Sequence, residues 1–388
     1  MLSENAIDKL IMKVINSQRD INLYILAILL ACIDDIKHGK KITPEKQSQD
    51  LKIIDDYIAG SAIIQIALIN NLYNIIADDI YSYSKSLYEL KKVKYKKFKA
   101  NKAISKIPKQ YLKDTVKIID KFIKSPKFII DDKLLSFIET YNYILNKSYD
   151  AYNTPLDFDT VIQPTINNLV NSGINIVTNK TIQKVDNVLQ NDITESIKNI
   201  SQDIQSEAGK QFGADGVEIT VHACPAPDHA PVQGHQFTNK EFNKLQNGQD
   251  FEDVNGIKFK GFERAIGTWN CRHFTFSIVV GSTPPTLTDK QLQDILNDNE
   301  KGYTLPNGKH LTMYECTQMQ RYYERQIRKN KIGQVSARKA DNKPLAQKYQ
   351  AKVNHYTDEY ISFSNACGLD LMKHRTAISG YRKIKVDI

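Results

Sequence analysis

Cysteine is scarce in this chain: five in 388 residues, odd in number and widely spaced. That pattern excludes a disulfide framework and fits a reducing compartment. Tryptophan occurs once, at Trp269. Long hydrophobic runs are missing too. The most apolar stretch, from Ile21 to Ile33, contains Asn22 and stops at Asp34-Asp35, which is too short to span a bilayer. The basic leader and small-residue cleavage site of a signal peptide are absent. There is no Gly-rich phosphate loop and no dinucleotide fingerprint. A cytosolic chain without membrane partners is expected, with its chemistry confined to a small part of the sequence.

What is present is charge, unevenly placed. Hydrophobic residues at 41% and charged residues at 25% are ordinary for a globular protein. The length allows two or three domains. Net charge is +9, yet residues 81–127 carry fifteen lysines against Glu89, Asp114 and Asp120. Residues 301–388 carry seventeen Lys and Arg against seven Asp and Glu, so the remainder is net acidic. Two basic flanks around an acidic middle form an electrostatic footprint compatible with a polyanion. Lys91, Lys92, Lys94, Lys96, Lys97 and Lys99 are the candidate contacts to a nucleic-acid backbone, although lysines also simply solvate a helix face. Tyr88, Leu90, Val93, Tyr95 and Phe98 interleave with them. Aromatics so placed can stack on bases, but this spacing favours packing on the inner face of a helix.

Helical periodicity dominates elsewhere. A helix is expected from about Leu2 to Lys37, and another helix or pair from Gln47 to Tyr83 with a weak point at Gly60-Ser61. A further helix is expected from Asp131 to Tyr152. From Asp159 to Gln211 the pattern is again helical, and no glycine occurs between Ile174 and Gly209, which predicts one long helix or a tight pair. Three glycines between Gly209 and Gly216 then end it. Val217 to His222, Ile257 to Phe259 and Phe274 to Val280 read as strands, with turns at Asn247-Gly248 and Asn255-Gly256. Thr286 to Asn299 reads as a short helix with Thr288 as N-cap, and Leu305 to Gly308 as a turn. Helices return over Tyr314–Lys331 and Pro344–Cys367, ahead of a basic tail. The fold class is therefore α+β and predominantly helical. Its regions are 1–155 (helical), 156–212 (long helix or helix pair), 213–310 (a compact α+β module) and 311–388 (basic and helical).

The module concentrates what chemistry there is. Four of the eight histidines and two of the five cysteines fall between Val217 and Ser282. His222 and His229 lie seven apart across a Pro-stiffened loop. Cys271 and His273 lie two apart, so an extended strand puts both on one face. Imidazole nitrogen and thiolate sulfur are zinc's preferred ligands, and four of them close a structural site. His222, His229, Cys271 and His273 are thus candidate zinc ligands, with Cys224 as an alternative. The spacing matches no standard zinc-finger pattern, and a metal-free hydrogen-bonded cluster serves equally well. Trp269 is expected to plug the module's small core, Asn270 to fix a turn, and Arg272 to face away from the ligands. A nucleophile pair of Cys271 with His222 or His229, or a His-Asn-His nuclease using Asn270, lacks an orienting or metal-binding carboxylate in register.

At these residues the sequence resembles the phage minor capsid protein 2 family. The resemblance rests on His222 through Gly234, with Pro227 and Gln233-Gly234, and on Asn270-Cys271-Arg272-His273. Downstream it includes Tyr314, Gln318, Gln320-Arg321, Glu324-Arg325 and Ile327-Arg328, then Tyr360, Phe363-Ser364, Gly368-Leu369 and Arg375. It covers about Gly216 to Ala377, and the N-terminal half shows no matching motif. Two departures are Ala226, where the family carries arginine, and Cys224, where it carries a small residue. The resemblance implies a structural, non-enzymatic component of a tailed-phage virion, made in the host cytoplasm and placed at the portal vertex or capsid interior. It implies a role in head morphogenesis or DNA packaging and ejection, an organisation similar to Mu F-like head proteins, and portal or major capsid protein as partners. Non-specific contact with packaged DNA and self-association through the long helices are further expectations. A zinc-dependent hydrolase, nuclease or peptidase, acting during infection is the alternative.

Overall fold

Ser3 opens the first helix, α1 (Glu4–Lys37), by accepting the Ala6 N–H at 3.2 Å. Thr43 does the same for α2 (Pro44–Tyr83), accepting from Lys46 N–H, with Pro44 in the first turn. The structure, a computed structural model, describes residues 2–178, 181–253, 256–268, 271, 273–339 and 341–386. The expected break at Gly60-Ser61 does not occur, and α2 runs through it. A lone glycine costs a helix only about 1 kcal/mol, while Ile54, Ile58, Ala62 and Ile69 on both sides are buried. Contrary to the expectation that no stretch is long and apolar enough, the helical span Pro44–Leu90 holds one 18-residue window that, by composition and length alone, could cross a bilayer. Here α2 packs on α1, leaving Ile63 and Ile64 outward.

After α3 (Lys85–Leu90) the Lys-rich stretch is irregular, not helical, as far as a short 3-10 turn at Phe98–Ala100. Its aromatics still go inward. Tyr88 and Phe98 are buried, and Tyr95 stacks on Tyr81 with ring centroids 5.0 Å apart, whereas Leu90 and Val93 are exposed. Then follow α4 (Lys102–Ser105) and the amphipathic α5 (Ile107–Lys124).

The helix expected from Asp131 begins six residues later. Residues β1 (Lys127–Ile130) and β2 (Lys133–Ser136) form a hairpin instead, turning at Asp131 and Asp132, both with positive φ. Two consecutive left-handed residues give the mirror-image turn that matches strand twist. Ser136 and Glu139 then build a capping box for α6 (Phe137–Asn153). A second correction follows α7 (Phe158–Ser172). The chain turns at Gly173 into β3 (Asn175–Thr178) and β4 (Thr181–Lys184) before α8 (Val185–Phe212). The two hairpins join as one antiparallel sheet in the order β2-β1-β3-β4. Phe128, Ile130, Ile174 and Ile176 fill its buried side.

Two cores result. In one, the second half of α1 meets α2, both hairpins, α6 and α7, joined by Ala337, Leu345, Ala346 and Tyr349 from near the C-terminus. In the other, the first half of α1 meets the rest of α2, α5 and α8. Helices from both ends of the chain therefore share one body.

The module begins where Gly213, at φ +75°, ends α8. Its sheet has the order β6-β5-β9, all antiparallel: β5 (Gly216–Ile219), β6 (Gln236–Thr238) and β9 (Thr275–Ile278). Between β6 and β9 lie α9 (Asn239–Gln246), an unexpected helix with its own capping box, and the small hairpin β7 (Phe251–Glu252) and β8 (Lys258–Phe259). Asn255 lies outside the described residues, as do Trp269, Asn270 and Arg272. Beyond the sheet, Thr288 caps α10 (Asp289–Lys301) as expected. The hairpin β10 (Tyr303–Thr304) and β11 (His310–Leu311) leads into α11 (Met313–Lys339) and α12 (Lys343–Ala366), which pack together. The structure is thus predominantly helical with small antiparallel sheets, an α+β fold.

Candidate functional site

Two loops at one end of the β5–β9 pair carry the motif residues. The first leaves β5, turns where His229 N–H and Ala230 N–H donate to the Ala226 carbonyl, and returns through Gly234. Gly234 has φ +75°, donates to the Ile219 carbonyl at 2.9 Å, and would place a Cβ 2.4 Å from Leu292 Cδ2. Only glycine fits such a position without movement. Pro227 is exposed, so it acts by fixing the backbone and not by packing. The second loop runs from Arg264 to His273. Cys271 N–H donates to the Thr268 carbonyl at 2.9 Å, which turns the chain into β9.

The loops meet at three buried side chains. Cys271 Sγ lies 3.4 Å from His229 Nδ1 and 3.7 Å from His273 Nδ1. His229, Cys271 and His273 are 1%, 4% and 3% exposed, so solvent does not reach them. One donor atom from each lies within 4.8 Å of the others. The far nitrogens are occupied as well: His229 Nε2 is 2.6 Å from the Arg264 carbonyl, and His273 Nε2 is 3.4 Å from Gln233 Oε1. That same Oε1 accepts the His222 backbone N–H at 3.0 Å. Of the other sequence candidates, His222 is half-buried with its ring edge-on to His273, centroids 4.4 Å apart. Cys224 is half-buried and outside the three-residue group.

The electrostatics follow from this packing. Burial acts to raise the Cys271 thiol, but hydrogen bonds from His229 and the neighbouring backbone outweigh it and hold the thiol below its usual range. Burial opposes protonation of His229, yet Cys271 and the Arg264 carbonyl push its pKa above normal. His273 is pushed down to about 2, first by burial and then by the charges of His222, His229 and Arg264. It is therefore neutral at physiological pH. Asp228 grips Arg264 at 2.8 and 3.0 Å and fixes the loop that supplies the carbonyl.

Sequence reasoning missed the support for these loops. Lys198 of α8, only 5% exposed, donates to the Gly267 carbonyl and pairs with Glu195. It also donates to the Thr268 carbonyl at 3.3 Å. Gln202 and Gln205 of the same helix bond Thr275 and Ser277 of β9. Nothing in the local sequence marks Lys198, because its acceptors are backbone carbonyls about seventy positions away. The six candidate lysines, Lys91 to Lys99, are all exposed and remote in sequence from this cluster. A groove of about 560 Å³ lies between α7, α11 and α12, lined by Asn167, Asn171, Lys329, Tyr349 and Lys352 among others. None of the motif residues lines it.

A family model described as phage minor capsid protein 2 matches residues 43–363. This chain belongs to the phage minor capsid protein 2 family. The match extends the relationship into the N-terminal half, from the start of α2 onward, while α1 lies outside it. No curated protein and no solved structure matches. As a minor capsid protein, the chain is a structural component of a bacteriophage head, and the virion is its place of work.

Proposed function

We propose that this minor capsid protein sits at the portal vertex or on the capsid interior and acts in head morphogenesis or DNA packaging and ejection. One observation carries the reading. The family match spans the body and the module together, and the module's reactive side chains are spent on holding two loops in place. Cys271, His229 and His273 are each under 5% exposed, so no substrate bond reaches them, and the hydrolase alternative loses its best candidates. Long capped helices offer extended faces to portal or major capsid protein. The exposed lysines between Lys91 and Lys99 supply contacts to the phosphate backbone of packaged DNA without reading sequence.

The test is localisation. Cryo-electron microscopy of virions, with the protein tagged and its copy number measured by quantitative mass spectrometry, is expected to find a few copies at the portal vertex or inner shell. A phage deleted for the gene is expected to give empty or malformed heads. Full, infectious heads from the deletion would sink the proposal.

A further inference from the structure

We propose that His229, Cys271 and His273 bind one structural zinc ion through Nδ1, Sγ and Nδ1, with His222 as the fourth ligand. The argument starts from proton positions. The Arg264 carbonyl can only accept, so His229 Nε2, 2.6 Å away, carries a hydrogen. Gln233 is oriented by the His222 backbone N–H, which can only donate, so the atom facing that amide is Oε1. His273 Nε2 faces the same Oε1 at 3.4 Å and therefore carries a hydrogen as well.

In their neutral forms both rings present bare Nδ1 lone pairs to one sulfur, at 3.4 and 3.7 Å, and moving the thiol proton onto His229 changes only which atom carries it. A thiol has one proton and can satisfy one of them. The second lone pair would be buried against an electron-rich sulfur, at a cost no described neighbour offsets. A divalent cation satisfies both lone pairs and the sulfur together, and its binding releases the thiol proton to solvent. The distances agree. Zinc bonds of about 2.05 Å to nitrogen and 2.3 Å to sulfur at a tetrahedral angle put the two ligand atoms roughly 3.5 Å apart. The observed separations bracket that value. The far nitrogens of His229 and His273 are already held by oxygens, which is how proteins fix the tautomer of metal-binding histidines. A mixed nitrogen and sulfur set, with three of its members buried, fits zinc in a closed structural site better than calcium or magnesium, which take oxygen. His222 lies outside this close group, and its ring, 4.4 Å from that of His273, is the further imidazole that would turn inward to complete the set.

The ion would tie the loop after β5 to the loop before β9, in a module whose buried apolar cluster is small. This does not depend on where in the virion the protein sits. The test uses full-length protein purified without chelator, with metal measured by inductively coupled plasma mass spectrometry. One zinc per chain is expected. Zinc-stripped protein titrated with cobalt(II) is expected to give tetrahedral d–d bands and one thiolate-to-cobalt charge-transfer band. Cys271→Ser is expected to lose that band and Cys224→Ser to keep it, while His222→Ala weakens cobalt binding at least tenfold. Absence of zinc together with a featureless cobalt titration of wild-type protein overturns the site, whether or not the variants fold. Loss of the band in Cys224→Ser with retention in Cys271→Ser overturns the ligand set.

Discussion

Asp8, in the second turn of α1, accepts from Arg375 Nε at 2.6 Å across 367 positions of sequence. His374 reaches the same carboxylate oxygen at 2.6 Å, and Glu324 stands 3.9 Å from the Arg375 guanidinium. The two ends of the chain are thereby latched onto one body by charge as well as by packing. Both side chains of the Asp8–Arg375 pair are about one-fifth exposed, so screening is incomplete. Asp8→Asn is expected to cost about 1.5–3 kcal/mol, the range for hydrogen bonds to charged groups, read as a lower midpoint in urea.

The same pair sets an acid limit. Burial works to raise the Asp8 carboxyl, but the Arg375 charge and hydrogen bond outweigh it and hold its pKa below the ordinary carboxylate value. A carboxyl depressed by folding stabilises above its unfolded pKa, and that contribution fades as pH falls through the folded value. Wild-type stability should therefore drop below about pH 4 more steeply than that of Asp8→Asn. Parallel urea midpoints from pH 6 to pH 3 check this, and identical slopes would contradict it.

Lys198 is expected to matter although it touches no motif side chain. Lys198→Met keeps length and burial but strands the Gly267 and Thr268 carbonyls, at a cost of about 1–3 kcal/mol. The loss should be local. Hydrogen exchange should speed up across the loop from Arg264 to His273 while α1 and α2 stay protected. Uniform exchange across the chain would count against the assignment.

Gly234→Ala tests the return of the first loop. The backbone is left-handed there, and the new methyl would meet Leu292 at 2.4 Å. Strain of this kind costs about 1–3 kcal/mol. Thermal melts should show a lower Tm for Gly234→Ala and a slightly higher one for Gly60→Ala, a helix-interior site whose added Cβ meets nothing within 4 Å.

Replacing Lys91, Lys92, Lys94, Lys96, Lys97 and Lys99 by glutamine should leave the fold intact, since all six are exposed. Binding to duplex DNA should weaken, and the slope of log affinity against log salt should flatten by about 0.9 for each phosphate contact removed. Fluorescence anisotropy at several salt concentrations measures both, and an unchanged slope would remove this segment from any DNA contact.

Much of the helical body was legible because caps and long periodic runs are local signals. Thr288 shows the kind that works: a threonine three residues ahead of Gln291, followed by an apolar pattern. The hairpins at 127–136 and 175–184 were not legible. Short apolar runs such as Phe128–Ile130 fit one turn of helix as well as a strand, and Asp131-Asp132 is not the Asn-Gly signal of a tight turn. At the candidate site the letters show two histidines and a Cys-x-His pair. They cannot show that the Arg264 carbonyl and Lys198 stand behind them. Backbone acceptors have no letter, and the long-range closure that recruits them is a property of the folded chain.

The placement of β9 has a mechanical consequence. It is bonded on one edge to β5 and also to Gln202 and Gln205 of α8, and Gly209 lets the helix come within contact of Ser277. A load applied at the loops around Cys271 therefore passes through these bonds into a helix that lines the second core. A partner pulling on the module would load α8, and through the shared core α2, before the module could part from the body.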